Sequence, residues 1–186
     1  MNESSEHWHR RVIPEAAERV LEILSQAGIQ RFYLAGGTAL ALRLGHRLSN
    51  DLDFFTAEPF EEERLLSDLA QAETLSLLSM GRETLHLSIM GIRVSFIGYL
   101  YPVLFPLSSY LGINVADPRD IACMKISAIG GRGTRRDFVD LYFLGRQYGL
   151  PHLFELFGKK YARIDFNLVH ALKSLTYFKD AEDQPM

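Results

Sequence analysis

Cysteine is almost missing from this chain of 186 residues, in which Cys123 is the single thiol. One cysteine excludes an intrachain disulfide, and no Cys/His spacing indicates a zinc site. No apolar run approaches the roughly 18–20 residues of a membrane span, and residues 1–11 lack the apolar centre of a signal peptide. We therefore predict a cytoplasmic protein without a membrane partner, in which Cys123 is a buried core thiol.

A net basic charge is also missing, because the chain carries a formal charge of −3. The whole protein consequently offers no basic field for nucleic acid. The charge is uneven, however, since residues 119–136 hold one lysine and four arginines against Asp120 alone. With 47% hydrophobic residues and no repeat or low-complexity linker, the chain can build one domain, or one core with a helical appendage.

Hydrophobic periodicity predicts an α+β fold whose carboxy-terminal half is helical. Helical spacing covers residues 14–27, 39–44, 60–72, 117–129, 136–148, 153–162 and 168–178. Strands are predicted over 31–35 and 51–55, and alternation within 75–100, broken at Gly91, indicates a β-hairpin or meander. Residues 101–114 are predicted to be a loop, and Gly130, Gly131 and Gly133 a flexible turn. We expect a core at residues 1–115 and a helical part at 116–186 that completes the active site.

A glycine pair joins the first predicted strand to the next helix, in the order Gly36, Gly37 and Thr38. Backbone N–H groups at a helix N-terminus favour anions, and glycine lets a phosphate approach closely. Thr38 is placed to cap this helix or to donate to a phosphate oxygen. Taken alone, the pattern is more typical of an ordinary tight turn than of a phosphate site.

Two carboxylates, Asp51 and Asp53, flank a leucine on the second predicted strand. Side chains at positions i and i+2 of a strand point to the same face, where two carboxylates repel each other unless a cation compensates. Mg²⁺ prefers carboxylates together with substrate phosphates. The alternative is a solvated acidic turn after Ser49 and Asn50.

Together the two patterns resemble the signature of the DNA polymerase β nucleotidyltransferase superfamily, in which a glycine pair precedes Asp-x-Asp at this spacing. Residues 34–55 are similar to the opening motif of AbiEii/AbiGii-type nucleotidyltransferases. The matching fragments are, in order, Gly-Gly-Thr-Ala-Leu, Gly-His-Arg, Ser and Asp-Leu-Asp-Phe-Phe. That family includes toxins of toxin–antitoxin systems. The resemblance implies a polymerase β-like core, a mixed sheet with flanking helices, followed by carboxy-terminal helices.

The resemblance also implies roles for individual residues. The residues expected to bind the nucleotide are Gly36, Gly37, Thr38, Arg47 and Ser49. Asp51 and Asp53 are expected to bind Mg²⁺ (or Mn²⁺) and to act in catalysis. An arginine beside two carboxylates would lower their pKa values, although Arg47 could instead be an ordinary surface arginine. His46 is expected to be a structural hydrogen-bonding residue.

A second block, Asp120-Ile-Ala-Cys-Met-Lys125 and then Arg135-Arg136-Asp137-Phe-Val-Asp140, resembles the second conserved block of the same family. On spacing alone, Asp137 and Asp140 indicate only a salt-bridged helix start. The resemblance places Lys125 and Asp137 in the active site, where a lysine neutralises charge on the triphosphate. Arg136 is expected to bind phosphates of a nucleotide or of RNA.

One departure from the superfamily pattern concerns its third carboxylate. The expected strand, residues 92–97, contains no acid, and Ser95 is the candidate for that position. Glu83 or Asp137 could take its place. The sequence thus leaves open whether the site holds a full pair of metal ions.

The predicted function is Mg²⁺-dependent transfer of a nucleoside monophosphate from an NTP to an acceptor hydroxyl, on RNA such as tRNA or on a protein. An antitoxin partner is expected from the resemblance. Two alternatives stay open: a catalytically degenerate nucleotide-binding or interaction module, and a nucleotidyltransferase acting on a small antibiotic-type molecule. The sequence does not define the oligomeric state.

Overall fold

The structure, a computed structural model, describes residues 7–70, 74–162 and 168–182, apart from the side chains of Arg132, Leu168, Lys179 and Asp180. The chain divides into two compact units, Met1–Leu100 with Leu107–Val115 and Tyr101–Pro106 with Ala116–Met186. The second unit thus includes a short segment that precedes the predicted domain boundary at residue 115. That boundary stays a prediction.

The first unit is built on a mixed seven-stranded sheet. Its strands are β1 (Tyr33–Ala35), β2 (Leu52–Thr56), β3 (Leu75–Gly81), β4 (Thr84–Ile89), β5 (Ile92–Gly98), β6 (Ser108–Tyr110) and β7 (Ile113–Val115). Their order is β3-β4-β5-β2-β1-β7-β6. The pairs β1–β7 and β2–β5 are parallel and the others antiparallel. The predicted α+β class with a mixed sheet is therefore confirmed.

Strict alternation along the central strands creates one apolar face. The residues that point into the core from β2, β4 and β5 are Leu52, Phe54, Leu85, Leu87, Ile89, Val94 and Phe96. Phe54 and Phe96 stack across the β2–β5 pair with ring centroids 5.2 Å apart. Because successive side chains point to opposite faces, the intervening residues, including Asp53, lie on the other side of the sheet.

The described residues of the first unit form three α-helices, α1 (Glu15–Gln26), α2 (Gly36–Leu44) and α3 (Glu62–Leu69). A short 3₁₀ helix, Arg10–Val12, precedes them. Helix α2 begins at Gly36, so the prediction of a turn followed by a helix from residue 39 was wrong. The positive φ of Gly36, +67°, lets the chain pass directly from strand to helix. Of the predicted helix 60–72, residues 71 and 72 lie outside the described residues.

The predicted loop over residues 101–114 was also wrong, because β6 and β7 form a hairpin there. Leu111 and Gly112 make its two-residue turn, both with positive φ, 50° and 77°. Such turns need left-handed backbone at both central positions and normally carry asparagine, aspartate or glycine. Leucine at the first position conceals the turn in the sequence.

The helices of the second unit are α4 (Pro118–Arg132), α5 (Arg135–Tyr148), α6 (Leu150–Lys160), α7 (Leu168–Ser174) and α8 (Lys179–Glu182). Asp117 caps α4 by accepting from the N–H of Arg119, with proline in the first turn, as the sequence predicts. The predicted flexible turn begins too early, since Gly130 and Gly131 are helical. Glycine permits a break without forcing one, and the chain leaves the helix only at Gly133, before Thr134 caps α5.

A buried ion pair holds the segment 101–106 within the second unit. Lys160 Nζ lies 2.7 Å from Asp120 Oδ1 and donates to the Pro102 carbonyl at 2.7 Å. The same carboxylate accepts the N–H groups of Leu104 and Phe105 at 3.0–3.1 Å. The two side chains are 1% and 2% exposed, so the pair lies in a dry interior.

Two further features of the second unit bear on the sequence predictions. Cys123 is fully buried, and burial raises the pKa of its thiol to about 12. No helix in the described ranges is long and apolar enough to cross a bilayer.

Candidate active site

The first cluster of candidate residues surrounds the junction of β1 and α2. Ala35 precedes the helix, and within the described ranges no side chain caps this helix end. The N–H groups of the first helical turn have no partner inside a helix, and together they carry partial positive charge. Such an end favours an anion.

Arg47 lies over this helix end. A β-carbon added to Gly37 would come within 2.2 Å of Arg47 Nη2, so the guanidinium group lies directly against the glycine. Arg47 Nη1 also donates to the Leu48 carbonyl at 3.0 Å. A guanidinium group beside the positive end of a helix adds to the positive charge that attracts an anion. The arrangement therefore suits a phosphate.

Two buried hydroxyl groups fasten the loop before β2 to helix α2. Thr38 Oγ1 and Ser49 Oγ are 2.7 Å apart, and Thr38 also donates to the carbonyl of Asp51. Thr38 is 1% exposed and Ser49 is 9% exposed. These contacts set the position of the loop that carries Arg47 and Asp51. The assignment of both hydroxyls to nucleotide binding stays a prediction.

Asp53 lies on β2, on the face opposite the core. It pairs in register with Ala35 on β1. A β-carbon on Gly36 would lie 3.0 Å from Asp53 Oδ2, so the carboxylate approaches the glycine turn closely. Asp51 comes just before the strand and is exposed, which continues the alternation through buried Leu52. The sheet and the turn thus bring a carboxylate next to the positive helix end.

Ser95, the candidate for the position of the third carboxylate, lies on the strand next to Asp53. Asp53 and Ser95 are register partners across β2 and β5, and Ser95 is 3% exposed. Glu83, the alternative acid, lies in the β3–β4 turn, where its carbonyl accepts the N–H of Gly98. Gly98 pairs with Thr56, three residues beyond Asp53, which corresponds to about 10 Å along a strand. Glu83 therefore lies outside the row of Asp53.

The second cluster belongs to the helical unit and centres on Lys125. Its ammonium group lies 2.7 Å from Asp137 Oδ1 and 2.8 Å from Asp140 Oδ2. The exposed fractions of these three side chains are 11%, 14% and 0%. Burial opposes the charged form of the lysine, but the carboxylates of Asp140 and Asp137 outweigh it, and the pKa of Lys125 is raised.

Asp137 has a second set of contacts at the start of α5. Its Oδ2 accepts from the N–H and the hydroxyl of Thr134 at 3.0 and 2.7 Å, while Thr134 in turn accepts from the Asp137 N–H. Both carboxylate oxygens therefore already accept hydrogen bonds. This capping box fixes Asp137, and through it Lys125, to the helix start. Arg136, next to it, is exposed.

Two residues of these clusters, Asp140 and His86, are not singled out by the sequence motifs. Asp140 is the fully buried partner of Lys125, although its spacing from Asp137 first indicated only a surface salt bridge. A lone lysine within an apolar helix was the available signal, because such a cation needs buried counter-charges. His86 bonds to Ser95 across two strands, which no short-range pattern reveals.

Solved structures of low sequence identity share this fold. JHP933 from Helicobacter pylori matches with a TM-score of 0.52 at 17% identity, covering 86% of this chain and 87% of that one. The antibiotic-resistance factor ANT(2'')-Ia matches with a TM-score of 0.58 at 13% identity, covering 81% and 94%. The fold is that of the polymerase β-like nucleotidyltransferases.

Sequence comparisons are more specific. Residues 19–186 match the family model described as "Nucleotidyl transferase AbiEii toxin, Type IV TA system". An uncharacterized protein of Aquifex aeolicus is 41% identical over 181 residues, which cover 94% of this chain and 87% of the relative. The chain belongs to the AbiEii nucleotidyltransferase toxin family.

Proposed function

We propose that this protein transfers a nucleoside monophosphate from an NTP to a hydroxyl group of an RNA, such as tRNA, or of a protein. The observation that carries the proposal is the meeting of three features at one turn. The uncapped start of α2 and the Arg47 guanidinium form a positive site at Gly37, and the Asp53 carboxylate lies against the adjacent Gly36. A polyphosphate and its cation need such a combination.

The residues present fit a divalent cation that is shared with the substrate. In the described ranges, no group of three or more histidine, cysteine, aspartate or glutamate residues forms a complete metal cage. Mg²⁺ instead uses one or two carboxylates together with substrate phosphates. Asp51 and Asp53 would hold Mg²⁺ or Mn²⁺, and the missing β-carbon of Gly36 leaves room for a phosphate oxygen beside Asp53.

The backbone N–H groups of the α2 start and Arg47 would bind the triphosphate and orient its α-phosphorus. When bound, the cation would supply charge neutralisation on the phosphates. The acceptor oxygen attacks the α-phosphorus in line, so that a new O–P bond forms while the bond between the α-phosphorus and the bridging oxygen breaks. Pyrophosphate leaves with that bond's electron pair, and Asp53 or Asp51 takes the proton of the acceptor hydroxyl.

The family resemblance assigns Lys125 to the same reaction. Lys125, kept protonated by its two carboxylate partners, neutralises charge on the triphosphate or on the leaving pyrophosphate. Asp137 acts as a positioning residue for Lys125, because both of its oxygens are already engaged. Arg136 is exposed and would bind phosphates of the nucleotide or of an RNA acceptor.

A labelling experiment tests this proposal. The protein is incubated with each NTP labelled at the α-phosphate, with Mg²⁺ and total tRNA, and label is sought on RNA, on protein and in pyrophosphate release. Asp53→Asn removes the charge of the candidate ligand, and Asp68→Asn makes the same change at an exposed position of α3. We expect transfer by the wild type and Asp68→Asn, and at least a hundredfold less by Asp53→Asn. Full activity of folded Asp53→Asn would refute the proposal.

The family implies a second partner, an antitoxin. We propose that expression of the active protein slows growth, that Asp53→Asn abolishes this effect, and that an antitoxin encoded beside it relieves it. Growth curves of the two strains measure the difference. Equal growth would remove the toxin assignment but leave the transferase activity to the labelling experiment.

A degenerate nucleotide-binding module is the second candidate, and the absence of an acid from β5, where Asp53 pairs with Ser95, favours it. Cation-dependent NTP binding without label transfer or pyrophosphate release would establish this alternative. Pyrophosphate release only when a small hydroxylated antibiotic is added would instead identify a small-molecule acceptor.

A further inference from the structure

A polar row crosses the sheet beside Asp53. Register pairs link Asp53 to Ser95, Ser95 to His86 and His86 to Ser79, across β2, β5, β4 and β3. Directly paired residues project from the same face of a sheet, so these side chains share the face opposite the core. The row runs from the candidate cation ligand, Asp53, through Ser95, the candidate for the position of a third carboxylate.

Ser95 and His86 form a hydrogen bond within this row. Ser95 Oγ lies 3.0 Å from His86 Nδ1, and Ser95 is 3% exposed while His86 is half-buried. A hydroxyl group has one hydrogen and two lone pairs. If the hydroxyl donates to Nδ1, both lone pairs of the serine oxygen are left to accept. Neighbouring strands are about 4.8 Å apart, so Ser95 lies one strand spacing from Asp53 on the same face of the sheet.

We propose that Ser95 Oγ is a neutral third ligand of the divalent cation at Asp51 and Asp53, and that His86 orients it by accepting its hydrogen at Nδ1. This inference rests on the proposed function. In this arrangement His86 is a positioning residue, because it acts on the cation only through the serine.

A neutral serine in place of a third carboxylate lowers the negative charge of the site. Two carboxylates balance one divalent cation, whereas a third carboxylate in the place of Ser95 would lie one strand from Asp53 and repel it until more positive charge arrives. We therefore expect one cation per chain at these carboxylates when the nucleotide is bound.

Mn²⁺ binding tests the proposal without any turnover. Free Mn²⁺ is counted by electron paramagnetic resonance in titrations of the protein with an α,β-methylene NTP analogue, in which the reacting bond cannot break. We expect one Mn²⁺ per wild-type chain, about tenfold weaker binding by Ser95→Ala, and a second Mn²⁺ in Ser95→Asp. Ser79→Ala, a matched serine in the same row beyond His86, should bind as the wild type does. Binding by Ser95→Ala within twofold of the wild type would overturn the proposal.

Substitutions of His86 separate orientation from simple packing. His86→Leu should weaken Mn²⁺ binding by about tenfold, and His86→Asn should restore most of it, because the asparagine oxygen can accept in place of Nδ1. Ser95→Ala/His86→Leu should bind no more weakly than Ser95→Ala alone. Losses that multiply in the double variant, or a protonated Nδ1 in ¹⁵N spectra of the wild type, would contradict the orienting role.

The Asp53→Asn protein distinguishes a failure of the proposed function from a failure of the proposed role of Ser95. Unchanged Mn²⁺ binding by Asp53→Asn would remove the cation site and the proposed function with it. Loss of binding by Asp53→Asn with no effect of Ser95→Ala would remove only the role of Ser95. Circular dichroism and thermal unfolding confirm that each variant is folded before its binding is compared.

Discussion

The guanidinium group of Arg47 lies directly against Gly37, where a β-carbon would come within 2.2 Å of Nη2. Gly37→Ala should therefore keep the fold, because the obstructing atom is the end of a flexible side chain, but should move Arg47 off the helix start. We expect nucleotide affinity to fall by about tenfold, since one charge-assisted phosphate contact is worth roughly 1.5 kcal/mol. Isothermal titration with an NTP analogue measures the change.

The Arg47→Ala background supplies the control for this prediction. With the guanidinium removed, alanine at position 37 has room and should stabilise α2 by about 0.5–1 kcal/mol relative to glycine. It should cause no further loss of nucleotide affinity. Two independent losses of affinity, or destabilisation in both backgrounds, would show that Gly37 serves some purpose other than making room for Arg47.

Gly36 differs from its neighbour because its backbone requires glycine. Its φ is +67° and an added β-carbon would lie 3.0 Å from Asp53 Oδ2. Gly36→Ala should lower the free energy of unfolding by about 1–2 kcal/mol, as measured by urea denaturation. Gly158→Ala in α6, where nothing lies within 4 Å of the added carbon, should instead raise it by about 0.5–1 kcal/mol. Changes of the same sign at both positions would contradict the structural distinction.

The sequence was informative where one short segment carries both the backbone signal and the chemistry. Gly36, Gly37 and Asp53 lie in one strand–helix–strand unit, and the structure brings the Asp53 carboxylate against Gly36. The N-cap of α4 at Asp117 was equally local. Each of these predictions needed only neighbouring residues, because turns, caps and strand faces are determined over a few positions.

Features that depend on distant residues could not be predicted in this way. The contact of Ser95 with His86 depends on the register of β4 against β5, and the partner of Lys160 lies 40 residues away at Asp120. The β6–β7 hairpin was missed for a different reason, since Leu111 adopts a left-handed conformation that its type disfavours. Tertiary packing had overridden the local preference.

Lys125 provides a test of buried charge. Lys125→Met would leave the fully buried Asp140 without its cation, and we expect a loss of about 3–5 kcal/mol in the free energy of unfolding. Lys159→Met, at an exposed position of α6, should change it by less than about 0.5 kcal/mol. A loss of under about 1 kcal/mol at position 125 would mean that the pair of carboxylates is adequately compensated without the lysine.

The pH dependence of the same comparison has a defined sign. Folding raises the pKa of Lys125. The charged lysine therefore makes its full contribution to the free energy of unfolding below about pH 10.4, the ordinary pKa of an unfolded lysine. That contribution is lost as the pH rises through the higher pKa of the folded state. The difference in unfolding free energy between the wild type and Lys125→Met should therefore stay constant from pH 7 to about pH 10 and shrink above it. A difference that grows in alkaline solution would show that the lysine is neutral in the folded state.

Asp120 makes the second buried pair and anchors a loop as well. Its carboxylate accepts the N–H groups of Leu104 and Phe105 and pairs with Lys160. Asp120→Ala should remove the acceptor for both amides, and their hydrogen exchange should accelerate more than that of amides in the middle of α4. Hydrogen–deuterium exchange followed by mass spectrometry measures this, with the exposed Asp68→Ala as control.

Because Asp120→Ala leaves the buried ammonium of Lys160 without its carboxylate, we also expect a loss of about 3–5 kcal/mol in the free energy of unfolding. Uniform acceleration across the second unit would mean that Asp120 stabilises the unit as a whole without specifically holding this segment, and unchanged exchange at the two amides would mean that it holds neither.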